Sequence, residues 1–516
     1  MLQHLLYIVA QSQLEQTKIA MKRLKATPLE GLGTNKTGFH VKHDLLGALS
    51  LNVILITDLD QVTSHLRQNP VDLMIYDERG KEAPNAIEAI QRIRADVKSL
   101  ADVWGPEFLF PLRRAISILN DSDNAEHRSF ELGRLGVRDV VVEPHSTAHL
   151  LRWIRRVLYA GVLRENRVGI ALSGGGIEGF LYQLGVIHAL NKAMLDRDLY
   201  ETDVVSGVSS GALAGTMLAA HLDTNEIIRS IHNKSEVLPN FTSQTMFDLA
   251  VGNIGKRVVQ QSFNWNIKPS RWLANLQRTL PTGFFKGDAL EAYIAKLLKW
   301  AGQPDRFDDL ATELYIGVTD QDSYKHIIFG EQGQDKMKIT EAVRASCAFP
   351  LVFTPKQIHG RRYIDGQVTR SCNLDITIKK GCSLVFVIDP LKPAKNHRAG
   401  AAEAEGGFFT AVQVIKALCS TRFETNLKHV TNQYPDADFI IFQPDEECAE
   451  LMSGSPMRYR IRTQLIELAY KSTLRKLRNH HLIYSSTMAR YGFDICGQDQ
   501  LRELEQQYDD VFKTSS

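Results

Sequence analysis

Five short apolar runs in the first third of the chain show little alternation of apolar and polar residues, and this limits the fold more than any other feature. They are Leu5–Ala10, Asn52–Thr57, Asp72–Asp77, Ala115–Leu119 and Asp139–Glu143, none longer than six residues and rich in β-branched and large aliphatic side chains. A strand with one wet face alternates, whereas a strand covered on both faces does not. Between the runs lie stretches with helical spacing such as Asn85–Arg94 and Thr147–Leu158, the latter apolar at Leu150, Leu151, Ile154, Val157 and Leu158. Strands that alternate with helices close into a parallel sheet through right-handed crossovers. Residues 1–160 are therefore expected to form a doubly wound α/β domain. The segment Ala26–Ala48, with its Gly, Thr and Asn, is expected as a loop-rich insertion between the first two strands.

Composition sets the outer limits. A chain of 516 residues that is 44% hydrophobic and 23% charged can build a full core in each of two to four domains. Lys+Arg 61 against Asp+Glu 59 leaves a net charge of +2, which excludes nucleic-acid binding by bulk positive charge. No window of 18 apolar residues occurs, and the run Leu5–Ala10 is too short for a signal segment and has no basic stretch before it. A soluble, cytoplasmic protein is expected, touching a membrane only from the surface. The six cysteines form no C-x-x-C pair and have no histidine at zinc-ligand spacing, so no structural metal is expected.

Residues 1–160 resemble a response-regulator receiver domain. Val71-Asp-Leu-Met-Ile-Tyr-Asp77 looks like the acceptor strand with its aspartate, and Gly136-Val-Arg-Asp-Val-Val-Val-Glu-Pro144 looks like the last strand and its Lys-Pro turn. The resemblance implies two acids after the first strand, a hydroxyl residue after the fourth and a lysine before the proline. Ala10-Gln11, Asn120 and Glu143 stand there instead. Asp77 alone is a poor ligand set for Mg²⁺, and Glu143 puts negative charge where phosphate needs neutralising. The expectation is a degenerate receiver used for docking, through which a homodimer mate or a regulatory partner binds. The short bridge Tyr159–Arg167 leads to the remainder, 161–516.

That remainder carries the chemistry. Val168–Leu172 reads as a strand running into Ser173-Gly174-Gly175-Gly176, followed by a helical pattern with Leu181, Leu184, Ile187 and Leu190. Glycines between a strand and a helix present free N–H groups at the positive helix end. The Gly-Lys-Ser/Thr of a phosphate-binding loop is missing. Gly174, Gly176 and Gly179 do match dinucleotide spacing, with Asp196 or Asp198 as a possible acid. The next strand decides: Gly207-Val-Ser209-Ser-Gly211 is a G-x-S-x-G directly after Val204-Val205 and before a helix of small residues, where a sharp turn exposes the serine hydroxyl. Downstream, His326, His359, His397, His429, His480 and His481 occupy no strand-end motif and read as surface or core histidines. An aspartate stands out instead, in Tyr363-Ile-Asp365-Gly366-Gln367.

Residues about 168–390 resemble the patatin-like phospholipase family, which joins a glycine-rich oxyanion loop, a G-x-S-x-G serine and a D-G-G/A aspartate in that order. Phe285-Lys-Gly287-Asp-Ala-Leu290 and Ala342-Val-Arg-Ala-Ser-Cys-Ala-Phe-Pro350 match as well. The resemblance implies a three-layer α/β/α hydrolase with a helical C-terminal part. It implies Ser209 as nucleophile, Asp365 as general base, the N–H groups of Gly174, Gly175 and Gly176 as oxyanion hole, and no cofactor. It also implies a phospholipid or other acyl-lipid substrate, cleaved through an acyl-enzyme. Three positions depart from the family. Glu178 stands where it has Arg or Lys, which weakens anionic headgroup binding or needs a partner such as Arg344. Gln367 replaces Gly or Ala, and Asn373-Leu-Asp375 replaces Asn-x-Pro. If those departures spoil the site, the reading from another class is a non-catalytic scaffold or lipid-binding module.

Two apolar stripes have the spacing to meet lipid or to pack in the core: Leu290, Ile294, Leu297 and Leu298, and then Phe408, Phe409, Val412, Ile415 and Leu418. The second follows a soft linker, Asn396–Gly407, as a lid would. The basic run Lys471–His481 reads as a solvated face.

Overall fold

A computed structural model of the chain describes residues 2–30, 36–46, 49–80, 82–104, 115–119, 125–135, 137, 139–142, 150–151, 153–154, 158, 167–195, 197–242, 245, 248, 283–392, 401–434, 437–453, 458–507 and 510–512. They fall into two compact units. The first holds residues 1–167 with 428–441 and 477–497, and the second holds 168–427, 442–476 and 498–516.

In the first unit, strands β1 (Leu2–Val9), β4 (Ser50–Ile56), β5 (Leu73–Asp77), β6 (Ala115–Leu119) and β7 (Asp139–Val142) pair in parallel in the order β4-β1-β5-β6-β7. That is the order of a doubly wound sheet. Successive side chains of a strand go to opposite faces. Leu5 and Tyr7 join one cluster with Met21, Leu24, Leu150 and Ile154, while Leu6 and Ile8 join another with Val62, Leu66, Ile90 and Ile93. Both faces are covered, which is why the runs do not alternate.

The expected loop at Ala26–Ala48 is partly sheet. β2 (Thr27–Pro28) pairs antiparallel with β3 (Thr37–Lys42), which pairs antiparallel with β4. Phe39 and Val41 are buried and His40 and Lys42 are not, a period of two that marks β3 as a strand with one open face. The bridge Tyr159–Arg167 lies outside the described residues except for Arg167, and so do Asn120, Glu143 and Pro144.

The sheet of the second unit runs β14-β15-β11-β9-β8-β16. β8 is Arg167–Leu172, β9 Val204–Val208, β11 Glu313–Asp320, β14 Lys356–Ile358, β15 Arg361–Asp365 and β16 Cys382–Ile388. β8, β9 and β11 are parallel, whereas β15 and the hairpin strand β12 (His326–Phe329) run antiparallel to β11. A small parallel pair joins β10 (Gly283–Phe285) to β13 (Leu351–Phe353). The stripe Leu290, Ile294, Leu297 and Leu298 is core, each side chain fully buried on the helix Asp288–Trp300. Of the second stripe, Phe408, Phe409 and Val412 lie outside the residues whose side chains are described, Ile415 is partly buried and Leu418 is half-exposed. Residues 401–407 of the expected soft linker are the first turns of a 33-residue helix, Ala401–Gln433. The basic run lies on the helix Arg462–Asn479 up to Asn479, where Leu474 and Leu477 are buried and Arg475 pairs with Glu505, and its His481 opens the next helix, His481–Ala489.

Candidate active site

Strand register brings the serine and the aspartate together. Val208, the last residue of β9, pairs with Gly317 of β11, and Asp365, the last residue of β15, pairs with Val318. Ser209 and Asp365 thus leave the sheet at the same level on either side of β11. Ser209 Oγ donates a hydrogen bond of 2.6 Å to Asp365 Oδ2, with both side chains buried.

The serine sits on a strained turn. Its φ of 54° and ψ of −122° place a non-glycine residue in the left-handed half of the map, ahead of the helix Ser210–Ala219. Neighbours over-determine that geometry. Ser209 N–H donates to Ser346 Oγ at 2.8 Å, and Ser346 Oγ–H donates to the carbonyl of Gly317 at 2.7 Å. A side chain at Gly211 is impossible without movement, because its Cβ would lie 2.3 Å from the carbonyl oxygen of Leu172.

Asp365 is completely buried, and loss of hydration lifts its pKa to about 7, against the opposing pull of hydrogen bonds from Ser209 and from the Gln367 N–H at 2.9 Å. No histidine is among the described residues lining the cavity. His326 is a satisfied partner elsewhere, bonded to Thr369 at 2.8 Å and Asn373 at 2.9 Å, with burial pushing its pKa down to about 4.

The three glycines follow β8, and the helix Gly176–Ala193 begins at Gly176, whose φ is 66°. Residues that sequence patterns did not single out anchor this loop. Ser173 Oγ donates to Asp389 Oδ1 at 2.6 Å, Gln443 donates to Asp389 Oδ2 at 2.8 Å, and Gln183 donates to the carbonyl of Ser173. Asp389 and Gln183 lie on separate elements and carry no local signal. Gly175, Gly176 and Ser209 line one cavity of about 680 Å³ of empty space, partly open to solvent, and Gly174 packs beside it against the Gln367 carboxamide. Its walls are apolar, with Phe180, Leu213, Phe241, Phe349, Phe353 and Ile415 prominent.

Glu178 does find a cation, but not Arg344. Arg458 Nε donates to Glu178 Oε1 at 2.7 Å, and Lys416, which lines the cavity, adds a second positive charge nearby. Burial still outweighs both cations and lifts Glu178 to a pKa of about 7. Arg344 instead packs against the turn at Gly287 and donates to the carbonyl of Thr354 at 2.9 Å. Among the described residues no group of three His, Cys, Asp or Glu is arranged to hold a metal ion, and no helix is long and apolar enough to cross a membrane.

The model of the patatin-like phospholipase family matches residues 170–378. These residues form a patatin-like phospholipase domain. The glycine loop, Ser209 and Asp365 all fall inside it, and the mixed α/β sheet with its parallel strands is consistent with it. Such a domain supports lipid acyl hydrolase activity in general. Residues 1–169, where the receiver resemblance lies, and 379–516, with Asp389, Lys416 and Arg458, are outside the match. Over 211 residues the chain is 26% identical to an uncharacterized protein, R571, of Acanthamoeba polyphaga mimivirus, a stretch that is 40% of this chain and spans 60% of that relative's length. Among solved structures it is similar to VipD of Legionella pneumophila, with 14% identity over 61% of this chain and 66% of that one, but a TM-score of 0.28 bears on neither fold nor chemistry.

Proposed function

We propose that the patatin-like domain is a serine acyl hydrolase of the phospholipase A or lysophospholipase type, working through a Ser209–Asp365 dyad. The observation that carries this reading is the 2.6 Å hydrogen bond from Ser209 Oγ to Asp365 Oδ2 at the apolar cavity. Asp365 takes the Ser209 proton as Oγ attacks the acyl carbonyl, and N–H groups of Gly174, Gly175 and Gly176 stabilise the oxyanion. Protonated Asp365 then gives its proton to the departing alcohol, and water releases the acyl group by the reverse sequence. A base near pKa 7 suits both proton transfers, whereas an ordinary aspartate near 3.9 would be a weak acceptor. Apolar walls take the acyl chain, and Lys416 supplies positive charge for a phosphate or other anionic headgroup. Residues 1–160 serve as a degenerate receiver for docking a second copy or a regulatory partner, and membrane contact is peripheral.

Hydrolysis of short- and medium-chain esters by the wild type, Ser209→Ala and Asp365→Asn tests the dyad. Both variants should lose nearly all activity, and a near wild-type rate in either would end the assignment. Labelling by a fluorophosphonate probe should occur in the wild type and vanish in Ser209→Ala. Its absence from the folded wild type favours the scaffold reading.

A further inference from the structure

Gln367 carries a hydrogen-bond donor that no described residue uses. Its side chain is 4% exposed, and its Nε2 has no acceptor among the described residues. A buried amide left unpaired costs on the order of 1–3 kcal/mol, so a native orphan asks for an explanation. Its location provides one. Gln367 lines the cavity with Ser209, and its carboxamide lies against the first glycine of the loop: a Cβ on Gly174 would sit 2.2 Å from its Cδ and 2.6 Å from its Nε2. Its backbone is pinned on both sides. The N–H donates to Asp365 Oδ1 at 2.9 Å, and the carbonyl accepts from Arg422 at 3.4 Å. The backbone that carries the amide is therefore held in place beside the serine and aspartate.

We propose that the Gln367 carboxamide is a side-chain member of the oxyanion hole, donating from Nε2 to the acyl carbonyl oxygen as the carbon becomes tetrahedral. This rests on the Ser209–Asp365 reading. An acyl chain offers no acceptor, whereas the ester carbonyl offers one whose charge grows during the reaction. As the Ser209 Oγ–carbon bond forms, the carbonyl π pair moves onto that oxygen. Gln367 Nε2–H bonds to it without giving up its proton. When the pair returns, the bond to the alcohol oxygen breaks, the alcohol takes the Asp365 proton, and Nε2 relaxes. A side-chain donor here makes the departure from Gly or Ala at this position a gain of catalytic function.

The test compares Gln367→Ala and the near-isosteric Gln367→Met on matched ester and thionoester substrates, since a thiocarbonyl sulfur is a poor hydrogen-bond acceptor. Loss of one oxyanion donor should lower kcat for the ester on the order of 10²-fold, with KM within about threefold and a much smaller loss on the thionoester. Equal losses on both substrates, or a change confined to KM, would overturn the proposal and leave Gln367 a structural residue. Should Gln367→Ala fail to fold, Gln367→Met gives the same ratio without emptying the site. Wild-type labelling and hydrolysis together with unchanged Gln367 variants would sink this proposal alone. A folded wild type that neither labels nor hydrolyses would sink the dyad reading beneath it.

Discussion

Two buried carboxyl groups are poised near neutrality, and they have opposite consequences. Asp365 must be ionised to act as a base, and its pKa is about 7 because burial penalises the charge. The rate kcat/KM is therefore expected to rise with pH through about 7 and to fall away below it. A pH–rate profile whose acid limb lies near 4 would show that the base is an ordinary hydrated carboxylate. Glu178 is also raised to about 7, so the folded state holds its proton more tightly than the unfolded chain does. Its favourable contribution is complete below the unfolded value near 4.5 and is lost as pH rises through about 7. Glu178→Gln keeps an oxygen for Arg458 and does not titrate. Its Tm should exceed that of the wild type at pH 8 by more than it does at pH 5. An equal difference at both pH values would contradict the raised pKa.

At the scale of elements, two backbones meet with no room for a side chain. Gly211 at the start of its helix lies against the end of β8, where a Cβ would be 2.3 Å from the Leu172 carbonyl oxygen. Backbone cannot rotate away as a side chain can. Gly211→Ala is expected to destabilise by about 3 kcal/mol or more, through forced separation of β8 from the serine turn. Denaturant unfolding measures this, and a loss below about 1 kcal/mol would mean that the turn is pliant. The helix Ala401–Gln433 acts differently. Ile415, Lys416 and Cys419 share one face of the helix and line the cavity, whereas Val414 and Leu418 are half-exposed. Of the stripe read from the sequence, Ile415 thus reaches the cavity, whereas Leu418 stays half-exposed and does not line it.

At the scale of the molecule, the first unit is built from distant parts of the chain. Arg490, mostly buried, is paired with both Asp72 and Asp438, and Tyr491 also donates to Asp438 at 2.7 Å. A chain starting near Leu163 would keep Arg490 but lose Asp72 and the sheet that carries it. Such a truncation is expected to lower solubility and Tm, and full activity with unchanged solubility and oligomeric state would remove the case for any role of the first unit. The same unit holds Asp77 in an internal pair. Tyr7 donates to its Oδ2 at 2.7 Å, and Arg79 engages both oxygens at 2.9 and 2.7 Å. With its charge already neutralised inside the fold, Asp77 is not expected to take phosphate from acetyl phosphate. Mg²⁺-dependent incorporation at that residue would refute this.

What the sequence determined by itself was whatever is local. The run Leu73–Asp77 lacks alternation because both its faces are covered, and the G-x-S-x-G and glycine runs announce a strand-to-helix turn because only small residues fit it. The alternation of Phe39, His40, Val41 and Lys42 was equally local and marks β3, though its turn-rich flanks read as loop. Other features depended on which strands become neighbours. The meeting of Ser209 with Asp365, 156 positions apart, follows from β9 and β15 flanking β11 in register. The same holds for Ser173 with Asp389 and for Glu178 with Arg458, pairs separated by 216 and 280 positions. Burial is likewise a property of the assembled fold. An aspartate in a turn has no raised pKa until tertiary packing takes its water away, so only the tertiary structure could lift the Asp365 carboxyl to a pKa of about 7.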